Sequence, residues 1–197
     1  MELEFKIAQK SDAPRLLEIY APYVEKTAIT FECNVPDKAE FENRIENVLK
    51  KYPYIIAETN GEAVGYAYAG AFNEREAYDR SVEVTVYVKE KFRNEGIGKR
   101  LYEVLERILS MQNILNLNAC IAYNEKEDEY LTKNSAQFHE HLGYKLVGEF
   151  HQCGYKFGRW YNMIWMEKHI GAHSLPPKPV RKFDEVRERL AEECGIA

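Results

Sequence analysis

Apolar residues recur along this chain with two different periods, and the switches between them divide it into elements. Alternation over Leu3–Ala8 predicts a first strand. Leu16, Leu17, Ile19, Tyr20 and Tyr23 then fall on one helix face, with Ser11 or Asp12 as N-cap and Pro14 in the first turn. Pro22 is expected to end or kink that helix. Ala28–Glu32 reads as a short extended connector that either packs on the core or walls a pocket. A second helix is predicted from Asp37 to about Lys51, with Phe41, Ile45, Val48 and Leu49 inward.

Tyr54–Glu58 and Ala63–Ala71 read as strands joined at Asn60-Gly61, a two-residue hairpin turn. The clearest strand is Ser81–Val88, where Val82, Val84, Val86 and Val88 alternate with Glu83, Thr85 and Tyr87. A glycine-containing loop, Arg93–Gly98, leads into a helix over Lys99–Ser110, and Leu117–Ala122 is a further strand. The acidic run Asn124–Glu129 reads as a solvated loop, and Ser135–Leu142 as a short helix closed by Gly143. Tyr144–Gly148 and Trp160–Met166 form a final antiparallel pair, joined through Gly154–Gly158. Leu175-Pro176-Pro177-Lys178-Pro179 reads as an extended strap, and Phe183–Cys194 as a terminal amphipathic helix. The order βααβββαβαββ predicts an α/β mixed sheet flanked by helices, not a repeating βαβ array. One domain over residues 1–170 is expected, followed by the strap and helix over 171–197.

Composition narrows the class. With 197 residues, 45% hydrophobic and 30% charged, the chain can bury a real core. A net charge of −5 without a basic block argues against a nucleic-acid partner. Cys33, Cys120, Cys153 and Cys194 form no C-x-x-C pair, so neither a metal site nor a disulfide framework is expected, and a reducing cytoplasm fits best. The N-terminus has no apolar signal core, and no run approaches the ~20 apolar residues of a membrane span.

Chemistry concentrates between Ser81 and Arg100. A strand, a glycine turn and a helix N-terminus make an anion site, because unpaired N–H groups and the helix dipole converge there. In Arg93-x-x-Gly96-x-Gly98, the N–H groups of Glu95 to Lys99 are expected to face phosphate oxygens, with Arg93 adding a charged donor. Asn94 and Ile97 complete that loop. There is no G-x-x-x-x-G-K-[ST] run, and the preceding strand is not the first of a dinucleotide fold.

Val86-Tyr87-Val88 followed by Arg93-x-x-Gly96-Ile97-Gly98 resembles the acyl-CoA-binding motif of the GNAT superfamily of N-acetyltransferases. Ala77–Val88, Phe138–Tyr144, Gly154-Tyr155-Lys156-x-Gly158-x-Trp160 and Leu175-Pro176-Pro177 resemble its branch that acetylates phosphinothricin and methionine sulfoximine or sulfone. The resemblance implies a mostly antiparallel central sheet, acetyl-CoA (coenzyme A) as cofactor, a small-molecule amine as substrate and a homodimer. It implies Glu83 as general base and His139 as a helix histidine that assists proton transfer or is structural. The backbone of Val86 to Val88 would hold the pantetheine arm, and Phe31, Arg75, Tyr78, Tyr87 and Tyr155 would line the amino-acid pocket. Three departures stand out: Asn73 replaces a frequent lysine, Arg80 replaces a tryptophan, and Thr132 replaces an asparagine that bonds the cofactor arm. Asn134, displaced by two, and Asn124 are the candidates to take over that last role, and Thr132 and Ser135 are also counted toward the cofactor site. Rival readings are an acetyltransferase for a protein N-terminus or polyamine, and a noncatalytic acyl-CoA-binding module.

Overall fold

The computed structural model describes residues 2–194 and 196. The alternating stretches become seven strands of one sheet: β1 (Glu4–Ile7), β2 (Tyr54–Thr59), β3 (Glu62–Ala71), β4 (Ser81–Val88), β5 (Asn116–Tyr123), β6 (Lys145–Lys156) and β7 (Arg159–His169). Their spatial order is β1-β2-β3-β4-β5-β7-β6. Neighbours are antiparallel except β4 and β5, which run parallel and pair only at Ser81–Asn116, Val82–Leu117 and Glu83–Asn118. A parallel pair needs a crossover, and helix α3 (Ile97–Met111) supplies it.

Two helical layers cover the sheet. Helices α1 (Ala13–Lys26) and α2 (Lys38–Leu49) bury Leu16, Ile19, Tyr20, Phe41 and Ile45 against Tyr54, Ile56 and Tyr66. On the other face, α3, α4 (Asn134–His141), α5 (Phe183–Arg187) and α6 (Leu190–Cys194) close over Val82, Val84, Leu117 and Ile164. The period of two in β4 therefore sends its valines toward α3, and Glu83, Thr85 and Tyr87 toward α1 and α2.

Several sequence expectations change. Helix α1 runs four residues past Pro22, to Lys26. Asp12 is its N-cap residue, but the side chain makes no capping bond. Its carboxylate instead accepts the Gln9 N–H at 2.7 Å and pairs with Arg15 at 2.6 Å. Asp37 does cap α2, accepting the Glu40 N–H at 2.8 Å. Ala28–Thr30 forms bends, and no strand forms over Ala28–Glu32. Helix α3 begins two residues before the expected Lys99. Strand β6 reaches Lys156, far beyond Gly148, and the turn shrinks to Phe157-Gly158, both with positive φ. A two-residue hairpin of the type also seen at Asn60-Gly61 accounts for this, because paired left-handed residues match the strand twist.

The acidic run is not merely solvated. Asp128 accepts the N–H groups of Tyr130 and Leu131 at 2.8 Å and the Tyr161 hydroxyl at 3.0 Å, and it pairs with Arg159 at 3.0 Å. The expected terminal helix is two short helices separated by a turn. Phe183 and Val186 are fully buried in the same core as β4 and α3. Cys33, Cys120 and Cys153 are free thiols, and the Cys194 side chain lies outside the described residues. Among the described residues no cluster could hold a metal ion, and no helix is long and apolar enough to cross a membrane.

Candidate active site

The limited pairing of β4 with β5 creates the site. Lys89 donates its N–H to Val64 on the β3 side, whereas Val82 accepts the Asn118 side-chain amide from the β5 side. Peptide groups alternate along a strand, so those of Val84, Val86 and Val88 face β5. Beyond Glu83–Asn118 no register pairs the two strands, and these groups face a gap. At its far end the Tyr23 hydroxyl bridges Val88, donating to its carbonyl at 2.6 Å and accepting its N–H at 3.2 Å. Of the expected trio, only Val86 thus offers its peptide to the gap. Those of Tyr87 turn toward β3, and those of Val88 are taken by Tyr23.

Glu83 sits at the mouth of this gap, opposite Asn118 and Gly70. Its carboxyl is pushed above the usual carboxylate range by desolvation, the sole cause of the shift. The Glu83 charge also acts on the Tyr68 phenol, which hydrogen-bonds Thr85 and lies within the fields of Arg44 and Glu32. Arg44 pairs with Glu32 at 2.6 Å and also with Glu40. Cys120 lies on the same face. Desolvation, then Glu83 and Cys153, push its thiol up to about 12, so it stays protonated at neutral pH.

His139 is not brought to Glu83. It is 5% exposed, on the α3 side of the sheet, packed among Tyr102, Phe138 and Tyr144. Its Nδ1 donates to the Ser135 carbonyl at 2.7 Å, which leaves Nε2 to accept the Tyr102 hydroxyl at 3.1 Å. Burial lowers its pKa to about 4. Both nitrogens are occupied, and burial favours the neutral ring.

The loop after β4 forms an open donor cluster. Gly96 is the N-cap of α3 at φ 75°, and no side chain caps the helix. Arg100 already donates its N–H to the Gly96 carbonyl, leaving the preceding turn, Ile97 to Lys99, to supply the helix-start N–H groups. Asn94 is also left-handed, at φ 65°. The Arg93 guanidinium stacks on the Tyr23 ring at 4.7 Å, while Lys99 pairs loosely with Glu103 at 3.8 Å. The Ile97 side chain is buried in the core, and that of Glu95 is exposed and negative, so these two can contribute only through their backbone. A Cβ on Gly98 would meet the Phe138 ring at 3.2 Å, so this glycine lets α3 and α4 approach. Asn124 follows β5 on the opposite bank of the gap, Thr132 is exposed in the loop beyond, and Asn134 and Ser135 open α4.

The expected substrate residues divide. Phe31 is 36% exposed and leans on Gly154 and Tyr161. Tyr87 packs its ring on Tyr20 and Tyr23, with its hydroxyl beside Thr30 and Tyr20, so it is a supporting wall. Tyr78 is 39% exposed against Phe72, and Arg75 is exposed in the same loop beyond β3. Tyr155 turns away. Gly154 and Lys156 on either side of it face the Phe31 loop, so alternation sends Tyr155 to the other face, where it packs on Trp160 at 5.0 Å. Sequence reading missed Tyr23, Tyr68, Asn118 and Lys156. Tyr23 lay on a helical apolar face and read as core, and only the fold reveals where its hydroxyl points.

A gap with a free strand peptide, an adjacent uncapped helix start and a desolvated carboxylate fit a long thioester carrying phosphates. Comparison with known proteins agrees. The family model described as an acetyltransferase (GNAT) domain matches residues 5–165. Phosphinothricin N-acetyltransferase of Streptomyces viridochromogenes is 29% identical, covering 93% of this chain and 96% of its own. L-Methionine sulfoximine/L-methionine sulfone acetyltransferase of Salmonella typhimurium is 27% identical over 88% of this chain and 98% of its own. A solved phosphinothricin acetyltransferase from Sinorhizobium meliloti, in complex with AcCoA, superposes with a TM-score of 0.81 at 30% identity, over 92% of this chain and 95% of that one. The chain belongs to the GNAT acetyltransferase family.

Proposed function

We propose that this N-acetyltransferase uses acetyl-CoA to acetylate the amine of a small amino acid or amino-acid analogue of the phosphinothricin or methionine sulfone type. The observation that carries the reading is Glu83: a carboxylate with a raised pKa and, among the described residues, no cationic partner, at the mouth of a gap lined by an unpaired strand peptide. When bound, acetyl-CoA supplies the activated acetyl group. Its residues of contact are Val86 in the gap, the N–H groups of Ile97 to Lys99, and Arg93, with Asn124, Asn134 and Ser135 on the opposite bank.

An ammonium cannot attack a thioester, so Glu83 takes a proton from the incoming amine, directly or through water. The raised pKa suits this, because a base works best when its pKa lies near the working pH. The Val86 N–H is the donor that holds charge developing on the acetyl oxygen. Attack would be direct, because the protonated Cys120 is no nucleophile: the amine nitrogen would bond the acetyl carbon, the thioester C–S bond would break, and coenzyme A would leave as a thiol carrying the proton shed by the amine. Arg75 and Tyr78 hold the substrate's acidic end, and Phe31 lies along its side chain. His139 supports α4 instead of moving a proton. Leu146, Val147 and Phe150, exposed on edge strand β6, support a homodimer as part of the same reading.

The test is thiol release from acetyl-CoA with methionine sulfone, methionine sulfoximine, phosphinothricin, ordinary amino acids, a peptide and a polyamine. Turnover with the small analogues is expected. Turnover with the peptide or polyamine alone overturns the substrate assignment, and cofactor binding without any turnover overturns the enzymatic one.

A further inference from the structure

The loop between α1 and α2 carries Phe31 and is held from several sides. Ala28 donates its N–H to the Tyr130 carbonyl at 3.0 Å, and Thr30 shares a hydrogen bond with the Tyr20 hydroxyl at 2.9 Å. Two further contacts come from the end of β6 and have no part in the chemistry described above. The first is at Gly154. A Cβ there would fall 2.4 to 2.7 Å from three atoms of the Phe31 ring. Gly154 does not have a left-handed φ, so the backbone there does not itself demand glycine. What excludes a side chain is the ring.

The second contact is Lys156, which is 5% exposed. Its ammonium donates to the Thr30 carbonyl at 2.8 Å. Burying an ammonium is costly, and desolvation lowers this one's pKa. The Phe157 ring 5.1 Å away and the charge of Glu32 offset part of that cost, but the pKa is still lowered, so stability alone is a weak reason for a lysine here. What Lys156 does achieve is to fix the carbonyl of the residue before Phe31.

We propose that Gly154 and Lys156 are specificity-determining positioning residues: together they seat the Phe31 ring as the wall that selects the side chain of the amine substrate. The inference rests on the proposed amino-acid acetylation. Gly154 gives the ring its depth, and Lys156 fixes the height of the loop that carries it. Neither touches the cofactor gap, so both act on amine recognition and not on acetyl-CoA.

The experiment is steady-state kinetics on the full chain with methionine sulfone and acetyl-CoA varied separately, for the parent, Gly154→Ala, Phe31→Ala, the Gly154→Ala/Phe31→Ala double variant and Lys156→Met. Gly154→Ala is expected to raise KM for the amine about tenfold, or ~1.4 kcal/mol. Its KM for acetyl-CoA should stay within about twofold. With the ring removed, the added methyl has nothing to strike, so the double variant should match Phe31→Ala alone. Lys156→Met should raise the amine KM as well while its melting temperature holds or rises, because a buried charge is gone. That combination separates positioning from damage to the fold, and it serves if Gly154→Ala fails to fold. An active parent whose Gly154→Ala and Lys156→Met variants keep its amine KM overturns the inference alone, as do additive losses in the double variant. A parent that binds acetyl-CoA but turns over no amine overturns the functional reading and this inference with it.

Discussion

Glu83 and His139 show how differently burial acts on two groups on opposite sides of one sheet. For Glu83, desolvation favours the protonated form, so its folded-state pKa stands above that of the unfolded chain. Activity should therefore fall as pH drops through a value higher than that of an ordinary carboxylate. Glu83→Gln should lower kcat/KM by about 10²–10⁴ and abolish that acidic limb. Stability is therefore lost as the pH rises from the unfolded to the folded pKa of Glu83 and stays lost above it, so the same variant should melt higher at neutral pH. Each kcal/mol relieved is worth about 2–4 °C in a chain of this size. A variant less stable than the parent would contradict the desolvated carboxylate. For His139 the sign reverses. The folded pKa of about 4 lies below the ordinary value of 6.5, so the unfolded chain binds the extra proton between them. Stability should drop by about 3 kcal/mol as pH falls from 6.5 to 4, and His139→Gln should flatten that slope in denaturant titrations across pH.

Helix α1 contributes through one hydroxyl what strand β5 does not contribute through its backbone. Tyr23 occupies both peptide groups of Val88 and supports Arg93 with its ring, so it links the end of the gap to the anion loop. Tyr23→Phe keeps the ring and frees Val88. It should raise KM for acetyl-CoA about three- to tenfold, the worth of one or two ordinary hydrogen bonds, with the amine KM little changed. An unchanged acetyl-CoA KM would count against this link. Such elements were partly legible in the residues. The β4 alternation, the Asn60-Gly61 turn and the glycines before α3 carry local signals that survive folding. The length of β6 did not, because its bulge between Phe150 and Gly154 breaks the period of two. The sides of the sheet on which His139 and Tyr155 lie were equally hidden. His139 depends on where α4 packs, and Tyr155 on a register fixed by the Phe157-Gly158 turn.

The molecule as a whole was legible in class and not in closure. Mixed strands and helices and a glycine loop announced the architecture, but nothing local showed that Phe183 and Val186 return to seal the α3 core. That closure matters less to the chemistry than the three-residue seam between β4 and β5. The seam divides the sheet into a four-strand half, β1 to β4, and a three-strand half, β5 to β7, each internally antiparallel. A ligand lying in the gap would act as the missing rungs of a ladder and couple the two halves mechanically. Coenzyme A without an acetyl group should therefore raise the melting temperature, by the equivalent of about 2.7 kcal/mol at a hundredfold excess over Kd. Hydrogen exchange should slow most at Val84 and Val86 and along the facing end of β5, with little change at the outer strands β1 and β6. On the proposed placement the cofactor would serve this sheet as a temporary strand, and unfolding in its absence should begin at the seam.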